Sequence, residues 1–218
     1  MILYVYCAGA FGKEVMDVAR RVNSVSGRWR EVKFIDDVVA ERFKYNAEVV
    51  RLNDLLAGDC LVNAEFVIAN GEPMARKKIA ESLERHNAKM GRLIDDSSIV
   101  VESARIEEGV VVTPFCSISS SSVLSSNCCI NTMSIIGHDV CIGRNSVVSS
   151  MVNMGGASVL GENSYIGMGA LIKDGVKIGS NSIIGMGSVV YGDIPDGVIA
   201  LGNPARVARH NTEQRVFK

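Results

Sequence analysis

A six-residue repeat runs without interruption through the second part of the chain. From Ile94 to Val190 every sixth residue is aliphatic or methionine, and these seventeen positions are the anchors of the repeat. Four residues after each anchor comes a small residue or valine, except for Ile194 at the end of the series. A period of six fits neither an amphipathic helix nor a plain strand. Hexapeptide repeats are typical of a parallel β-helix, in which three steps close one triangular coil of eighteen residues.

The repeat also predicts what fills the β-helix. The anchors should stack on one another in the interior, and the small residues should lie where each corner leaves little room. Glycines that directly follow an anchor suit the close approach of one backbone to the next at a corner. They are Gly137, Gly143, Gly155, Gly161, Gly167, Gly179 and Gly185. The serine-rich stretch 117–126 keeps the anchors Ile118 and Leu124, so we expect a coil there and not a flexible linker.

The first residues follow a different pattern, in which an apolar run precedes a glycine turn. Ile2–Tyr6 predicts a strand, and apolar residues at helical spacing over 13–22 predict a helix. Such a strand, turn and helix open the nucleotide-binding βαβ unit, where N–H groups at the helix start hold phosphate. Cys7 replaces the first glycine of the usual pattern, so a turn that serves only packing is the alternative. The candidate substrate-binding residues here are Gly9, Ala10, Phe11 and Gly12.

Two further predicted strands, Val32–Ile35 and Glu65–Ala69, end in polar residues, and a helix follows the second one from Pro73 to about His86. Polar groups at the carboxyl end of such strands can accept hydrogen bonds from a nucleotide or sugar. A solvated turn or a helix cap explains the acidic pair equally well. The candidate substrate-binding residues are Asp36, Asp37, Asn70 and Gly71. We predict a small Rossmann-like α/β domain with a parallel sheet of three or four strands over residues 1–90, followed by a β-helix domain over residues 91–218.

Composition narrows the class of protein. Of the 218 residues, 47% are hydrophobic, and the formal net charge of -1 gives no sign of a nucleic-acid or anionic-membrane partner. No apolar run approaches the length of a membrane span, and the apolar start is too short for a signal peptide. Six cysteines without a C-x-x-C pair argue against a disulfide framework and against a zinc site. We expect Cys116 and Cys128 to be buried free thiols. A cytoplasmic protein without a metal is the simplest expectation.

The repeats and three N-terminal segments together resemble a known family. The segments are Ala-Gly-Ala-Phe-Gly-Lys-Glu-Val from residue 8, Phe-Ile-Asp-Asp from residue 34 and Ile-Ala-Asn-Gly from residue 68. The repeats resemble the left-handed β-helix of hexapeptide acyltransferases, and the segments narrow the resemblance to NeuD/PglD-like sugar acetyltransferases. The left hand is implied by this resemblance alone, since the usual crossover rule predicts the opposite hand. The resemblance also implies a nucleotide-linked sugar in the small domain and acetyl-CoA between the β-helices of a homotrimer.

The resemblance places the chemistry at His138 and Asp139. His138 comes two residues after an anchor, so it should lie at or beside a corner and face outward. Imidazole, with an ordinary pKa of ~6.5, suits a base that takes the acceptor's proton during acyl transfer. Asp139 could fix the imidazole tautomer and stabilise the imidazolium. Gly156, one coil further on, should leave open space beside the ring. An exposed surface histidine next to an acid is the alternative, and the family's acidic partner at this register argues against it.

The acetyl-CoA site is assigned by the same resemblance. Asn131 matches an asparagine that helps the family to position the acetyl carbonyl, and a corner asparagine with a left-handed backbone is the alternative. Related enzymes often carry a second histidine near Val147, so a backbone N–H or Asn131 would have to polarise the carbonyl here. The segment 202–206, Gly-Asn-Pro-Ala-Arg, matches the signature that closes these β-helices, with Arg209 among the nearby basic residues; a solubilising cap is its alternative role. The cofactor-binding residues are Asn131, Gly155, Gly167, Gly185, Lys177 and Arg206.

The leading interpretation is direct acetyl transfer from acetyl-CoA to an amino group of a nucleotide-linked sugar. Two alternatives stay open: O-acetylation of a sialic acid or another sugar, and a non-catalytic scaffold that binds a nucleotide sugar. Outward apolar residues on the coils would leave a patch too large for a monomer, which favours a homotrimer. They are Ile135, Val147, Val159, Leu171, Ile183 and Val189. We expect the last eight residues, 211–218, to be loosely ordered.

Overall fold

The N-terminal domain is an α/β unit built on one sheet. The structure, a computed structural model, describes residues 1–57 and 61–217. The strands are β1 (Ile2–Tyr6), β2 (Glu31–Ile35), β3 (Phe43–Lys44), β4 (Ala47–Val50) and β5 (Ala64–Ile68), and the helices are α1 (Ala10–Ser26), α2 (Leu52–Ala57) and α3 (Pro73–Arg85). The sheet order is β3-β4-β2-β1-β5, with β3 antiparallel at the edge and the other four strands parallel. The predicted parallel sheet is confirmed, whereas the β3–β4 hairpin and α2 were not predicted.

The helices cover both faces of this sheet. On one face, Val15 and Met16 of α1 pack into the same buried cluster as Leu3 of β1. On the other face, α2 and α3 pack on a cluster that contains Phe66. Helix α1 runs past its predicted end because the stretch after residue 22 stays helical as far as Gly27, whose left-handed φ of 59° ends the helix.

The β-helix has three faces made of two-residue strands. Face A contains β6 (Leu93–Ile94), β9 (Val111–Val112), β12 (Cys129–Ile130), β15 (Val147–Val148), β18 (Tyr165–Ile166) and β21 (Ile183–Ile184), and ends with β23 (Val198–Gly202) and β24 (Ala205–His210). Face B contains β7 (Ile99–Val100), β10 (Ser117–Ile118), β13 (Ile135–Ile136), β16 (Asn153–Met154), β19 (Leu171–Ile172) and β22 (Val189–Val190). Face C contains β8 (Arg105–Ile106), β11 (Val123–Leu124), β14 (Cys141–Ile142), β17 (Val159–Leu160) and β20 (Lys177–Ile178). Corners AB, BC and CA join consecutive faces.

The coil of eighteen residues is confirmed by the strand register. Each two-residue strand from β6 to β19 pairs in parallel with the strand one coil further on, as Ser117 does with Ile135. The anchors from Val112 to Val190 are buried, and the three anchors before them are partly buried against the same core. The glycines after anchors allow the close approach that was predicted, because a Cβ added at Gly137 would lie 2.7 Å from the Met154 carbonyl oxygen. The serine-rich stretch forms β10 and β11, as expected.

The N-terminal domain packs on face A. Helix α1 and the outward side chains of face A, including Cys129 and Val147, belong to one buried cluster. The predicted exposure of Val147 and Ile183 is therefore wrong, because both lie on the covered face and are 1% and 9% exposed. Ile135 and Leu171 lie on face B instead and are 48% and 44% exposed, as predicted.

The C-terminal tail is docked as far as Phe217. The N–H groups of Val216 and Phe217 donate to the Glu72 carboxylate at 2.8 and 2.6 Å. The Phe217 ring meets the Tyr165 ring edge-on, with 5.8 Å between the ring centroids. The expectation of a loosely ordered tail is wrong for these residues, and Lys218 lies outside the described residues.

Cys116 and Cys128 are free and buried, as predicted, while Cys60 lies outside the described residues. Trp29, in the loop between α1 and β2, is 2% exposed. None of the described helices combines the length and apolarity that a membrane crossing requires. Residues 1–57 and 61–217 contain no group of three or more histidine, cysteine, aspartate or glutamate side chains that could hold a metal.

Candidate active site

His138 and Asp139 form a hydrogen-bonded pair at corner BC. The Nδ1 atom of His138 lies 2.8 Å from Oδ2 of Asp139, and the two side chains are 68% and 59% exposed. Asp139 has a left-handed φ of 58°, and its N–H donates to the Ser120 carbonyl one coil earlier at 2.9 Å. A carboxylate at Nδ1 accepts the Nδ1 proton, so Nε2 of the neutral imidazole is left with a lone pair. The pair faces outward, as the sequence predicted.

The outer nitrogen of the imidazole lies above a glycine. A Cβ added at Gly156 would lie 2.4 Å from His138 Nε2, so the ring occupies space that any other residue would fill. This confirms the expected open space beside the ring. The N–H of Gly156 donates to Oδ1 of Asp174 at 2.7 Å, and Asp174 is two coils from His138 on the same corner. Asp174 was not predicted from the sequence, although it follows His138 by six hexapeptides, a spacing that places both residues at the same corner.

Asn131 lies at corner AB and not beside His138. Its N–H donates to the Val148 carbonyl at 2.8 Å, and its side-chain oxygen lies 3.2 Å from the Cys129 thiol. Asn131 is not one of the residues with a left-handed backbone, because Met133 takes that conformation at this corner with a φ of 62°. In a single chain the proposed base and the proposed carbonyl-positioning residue therefore lie at two different corners, with strand β13 between them.

The other predicted donor-site residues are divided in the same way. Gly167 and Gly185 lie at corner AB in the position of Asn131, two and three coils further on. Gly155 lies at corner BC next to Gly156. Lys177 is exposed on face C. Arg206 lies on β24, where its guanidinium donates to the Ala205 carbonyl at 2.9 Å. In one chain, the residues predicted to bind acetyl-CoA therefore do not come together in one place.

A largely apolar cavity of about 350 Å³ adjoins corner AB near the C-terminal tail. Gly167 and Gly185 line it together with two arginines, Arg209 and Arg215. At Gly185 a Cβ would lie 2.2 Å from the Leu201 side chain, so this glycine lets the β23–β24 hairpin pack against the corner. The cavity brings predicted cofactor-binding glycines and guanidinium groups close together.

The glycine turn after β1 has the geometry of a strained, closely packed loop. Cys7 has a φ of 83°, in the region that favours the glycine of the usual pattern. A Cβ at Gly12 would lie 2.1 Å from the Cys7 carbonyl oxygen, so Gly12 is required for packing. Gly9 precedes α1, and a Cβ added there would have no heavy atom of residues 1–57 and 61–217 within 4 Å. The space before the start of α1, beside Ala10 and Phe11, is therefore open.

The two aspartates after β2 already have partners within the chain. Asp36 accepts N–H groups from Ala8 at 2.8 Å and from Val38 and Val39 at 2.9 Å. Burial alone would raise the pKa of Asp36, but these three N–H donors outweigh burial and the pKa is lowered. Asp37 accepts the Leu52 N–H at the start of α2 at 3.0 Å and the Tyr6 hydroxyl. Their contacts within the chain are thus those of a turn and a helix cap.

Asn70 and Gly71 complete the edge at the carboxyl ends of the parallel strands. The Asn70 side chain accepts the Glu72 N–H at 2.9 Å and donates to the Cys7 sulfur at 3.5 Å, which ties the loop after β5 to the loop after β1. A Cβ at Gly71 would lie 3.2 Å from the Phe217 ring. The predicted substrate-binding residues therefore lie along one edge of the sheet, and Glu72 and Phe217 join them without having been predicted.

Comparison with known proteins identifies both parts of the chain. Residues 2–83 match the family described as PglD N-terminal domain, and residues 157–192 match the family described as bacterial transferase hexapeptide (six repeats). GDP-perosamine N-acetyltransferase of Escherichia coli O157:H7 is 31% identical over 213 residues, which cover 94% of this chain and 96% of that protein.

Solved structures agree with this match over nearly the whole length. The acetyltransferase domain of PglB from Neisseria gonorrhoeae FA1090, determined in complex with acetyl coenzyme A, superposes with a TM-score of 0.88 at 30% identity, covering 94% of this chain and 98% of that domain. PerB from Caulobacter crescentus, in complex with CoA and GDP-perosamine, gives a TM-score of 0.86 at 26% identity, covering 95% and 97%. The left-handed β-helix, its N-terminal α/β domain and these matches agree, and the chain belongs to the NeuD/PglD-like family of hexapeptide-repeat sugar acetyltransferases.

Proposed function

We propose that this chain transfers the acetyl group of acetyl-CoA to an amino group of a nucleotide-linked sugar, with His138 as the general base. The observation that carries the proposal is the His138–Asp139 pair, exposed at a corner with Nε2 directed over Gly156. The relatives support it, since the name GDP-perosamine N-acetyltransferase describes an enzyme that acts on a nucleotide-linked amino sugar. Both substrates are metabolites of the cytoplasm, and we place the reaction there.

The proposed reaction is a direct attack. The acceptor amine forms a bond to the thioester carbonyl carbon, and the carbon–sulfur bond breaks as the carbonyl is restored. Nε2 of His138 takes the proton that the nitrogen loses, and the imidazolium returns it to the departing CoA sulfur. Asp139 holds Nδ1–H and stabilises the imidazolium while the proton is on the ring. The products are an N-acetyl sugar and the free thiol of CoA.

The developing negative charge on the acetyl oxygen needs a hydrogen-bond donor. Val147 cannot supply one, because it is apolar and buried against the N-terminal domain. The N–H of Gly156 is the main-chain donor beside the imidazole, and Asp174 accepts it in this structure. We propose that Gly156, or the Asn131 side chain of a neighbouring copy, polarises the carbonyl once acetyl-CoA is bound.

The acceptor is proposed to bind to residues 1–90, and the β-helix over 91–218 to bind acetyl-CoA. The open space at Gly9 lies before α1, a helix of 17 residues. Its first N–H groups, at Ala10 and Phe11, suit a diphosphate. The loops at Asp36–Asp37 and Asn70–Gly71 lie along the same edge, where they can contact the nucleoside and the sugar.

A homotrimer would unite the two partial donor sites. Asn131, Gly167 and Gly185 lie at corner AB and His138 lies at corner BC, so corner AB of one copy must face corner BC of another to join them. The outermost residues of corner AB are apolar and exposed, with Phe115, Met133 and Met151 stacked one coil apart at 62%, 54% and 57% exposure. We propose that a second copy covers this row. Light scattering at micromolar concentration that returns the mass of a single chain would rule out a shared site.

The deciding experiment measures thiol release from acetyl-CoA with GDP-, UDP- and dTDP-linked amino sugars, and identifies the product by mass spectrometry. The wild type should release one thiol per amide formed, and His138→Ala should lower the turnover rate about 10²–10⁴-fold at saturating substrates. His86→Ala, at an exposed histidine after α3, is the control that should leave the rate unchanged. An ester product would select the O-acetyl alternative, and tight nucleotide-sugar binding without thiol release would select the scaffold.

A further inference from the structure

Arg76 of α3 is a fully buried cation whose described partners are neutral. The side chain is 0% exposed, and it is the largest fully buried side chain of the described residues. Its four hydrogen bonds in the described part of the chain all go to main-chain carbonyl oxygens. Burying a guanidinium without a carboxylate costs free energy. Stability alone therefore does not account for Arg76 at this place, which points to a geometric role as well.

The carbonyls that Arg76 binds belong to both domains. Nη1 donates to Ile68 at 2.7 Å and to Asn70 at 3.0 Å, which are the last residue of β5 and the first polar residue after it. Nε donates to the carbonyl of Asn127 at 3.0 Å, and Nη2 donates to the same oxygen. Asn127 is at corner CA, at the start of the coil that runs through Asn131 to His138.

The guanidinium therefore joins the acceptor edge to the catalytic coil through rigid groups. Its planar donors fix two carbonyls of the β5 end on one side and one carbonyl of the β-helix on the other. The side chain of Asn70 donates to the Cys7 sulfur, so the same contact also holds the loop after β1 in place. Copies in an oligomer would meet through their β-helices, so the distance from the acceptor loop to any copy's His138 depends on this contact.

We infer that Arg76 is a positioning residue for acetyl transfer: it holds the loop Asn70–Gly71 at a fixed place relative to the coil that carries His138. The inference rests on the proposed function. A misplacement of about 1 Å between reacting groups can cost about 10²-fold in rate. That loss should appear only with acceptors that the N-terminal domain holds by their nucleotide.

The test compares two acceptors at saturating acetyl-CoA: GDP-perosamine, or whichever nucleotide amino sugar the wild type acetylates fastest, and the same amino sugar without its nucleotide. Arg76→Met should lower kcat/KM for the nucleotide sugar by about 10²-fold and should change the rate with the free sugar and the KM for acetyl-CoA by less than about twofold. Arg76→Lys keeps the charge but has no planar fork. Its rate ratio, the rate with the nucleotide sugar divided by the rate with the free sugar, should therefore lie between the ratios of the wild type and Arg76→Met.

The matched control is Arg21→Met, which removes another arginine contact between the domains, an ion pair with buried Asp95. It should leave the ratio between the two acceptors unchanged. An equal loss with both acceptors in Arg76→Met would show a merely structural role and overturn the inference. If Arg76→Met does not fold, a wild-type ratio in Arg76→Lys overturns it. Absence of thiol release in the wild type would contradict the proposed function instead, so the two failures are distinct.

Discussion

The imidazole of His138 occupies the space that a side chain at Gly156 would fill. The three atoms nearest to a Cβ added there all belong to the His138 ring, at 2.4, 2.5 and 2.9 Å. The two residues are one coil apart at corner BC, so the strict register of the β-helix is what brings the ring and the glycine together. The position of the proposed base thus depends on a residue without any functional group.

Gly156→Ala should separate catalysis from folding. The atoms nearest to the new methyl group belong to the ring of an exposed histidine, which can rotate away, so the melting temperature should stay close to that of the wild type. Displacing Nε2 by about 1 Å or more should lower kcat by about 10²-fold. Gly192→Ala is the matched control, because Gly192 lies at the same corner and no atom in the described part of the chain lies within 4 Å of a Cβ added there. A wild-type kcat in Gly156→Ala would mean that the ring position seen here does not matter for turnover.

Asp139→Asn tests how much the second member of the pair contributes. Asparagine tolerates the left-handed φ of 58° at this position, so the corner should keep its shape. The amide loses the negative charge that stabilises the imidazolium, and we expect kcat to fall about tenfold, which is less than the loss of about 10²–10⁴-fold expected for His138→Ala. Stopped-flow thiol release at saturating substrates measures both variants. A greater loss in Asp139→Asn than in His138→Ala would exclude His138 as the base.

Met133→Glu tests the proposed contact between copies. Met133 is the middle residue of the apolar row at corner AB and is 54% exposed. A carboxylate there would have to be desolvated in the contact, so the mass measured by light scattering should fall to that of one chain. Thiol release should fall with it, because the two partial donor sites separate. Val25→Glu, at a residue that is 76% exposed near the end of α1, should change neither quantity.

Acidification should destabilise the protein through Glu65. Burial alone would raise the pKa of this carboxyl, but Lys89, Trp29 and Arg28 donate to it and the pKa is lowered. A lowered pKa in the folded state gives stability that is present above the unfolded value of ~4.3 and is lost as the pH falls through the folded value. Glu65→Gln should therefore cost about 3 kcal/mol at pH 7 and flatten the fall in the free energy of unfolding below about pH 4.5.

Urea unfolding between pH 7 and pH 3 measures this effect. Glu81→Gln is the control, because Glu81 lies on the exposed side of α3 and its only ion pair among the described residues is with Lys77 at 3.8 Å. A Glu65→Gln variant with the same pH dependence as the wild type would show that other carboxylates, such as Asp95, account for the acid sensitivity.

The β-helix was predictable because one local rule repeats without error. An anchor every sixth residue fixes the corner spacing, the coil length and the inward side chains, including the glycine beside His138. The same rule cannot tell which face meets the N-terminal domain, because the three faces have the same period. The exposure of Val147 was for that reason predicted wrongly.

The N-terminal domain was predictable only in part. Its apolar runs predicted β1, β2 and β5, and helical spacing predicted α1 and α3. The β3–β4 hairpin turns at Tyr45 and Asn46, where both residues have a positive φ and no glycine marks the turn. Arg76 looks like an exposed helical cation, since Lys77 and Lys78 follow it. Its burial depends on contacts between distant segments, which no local pattern contains.

The β23–β24 hairpin decides how the β-helix ends. A stack of parallel coils finishes in a row of free N–H and C=O groups, onto which a coil from another molecule could be added without limit. On face A the last parallel strand is followed by β24, which runs antiparallel to it and carries the exposed arginines Arg206 and Arg209. An incoming coil would meet a strand of the wrong direction with positive charges along it. We therefore expect this hairpin to block end-to-end growth at face A, and a chain cut before Gly202 to form larger assemblies that light scattering detects.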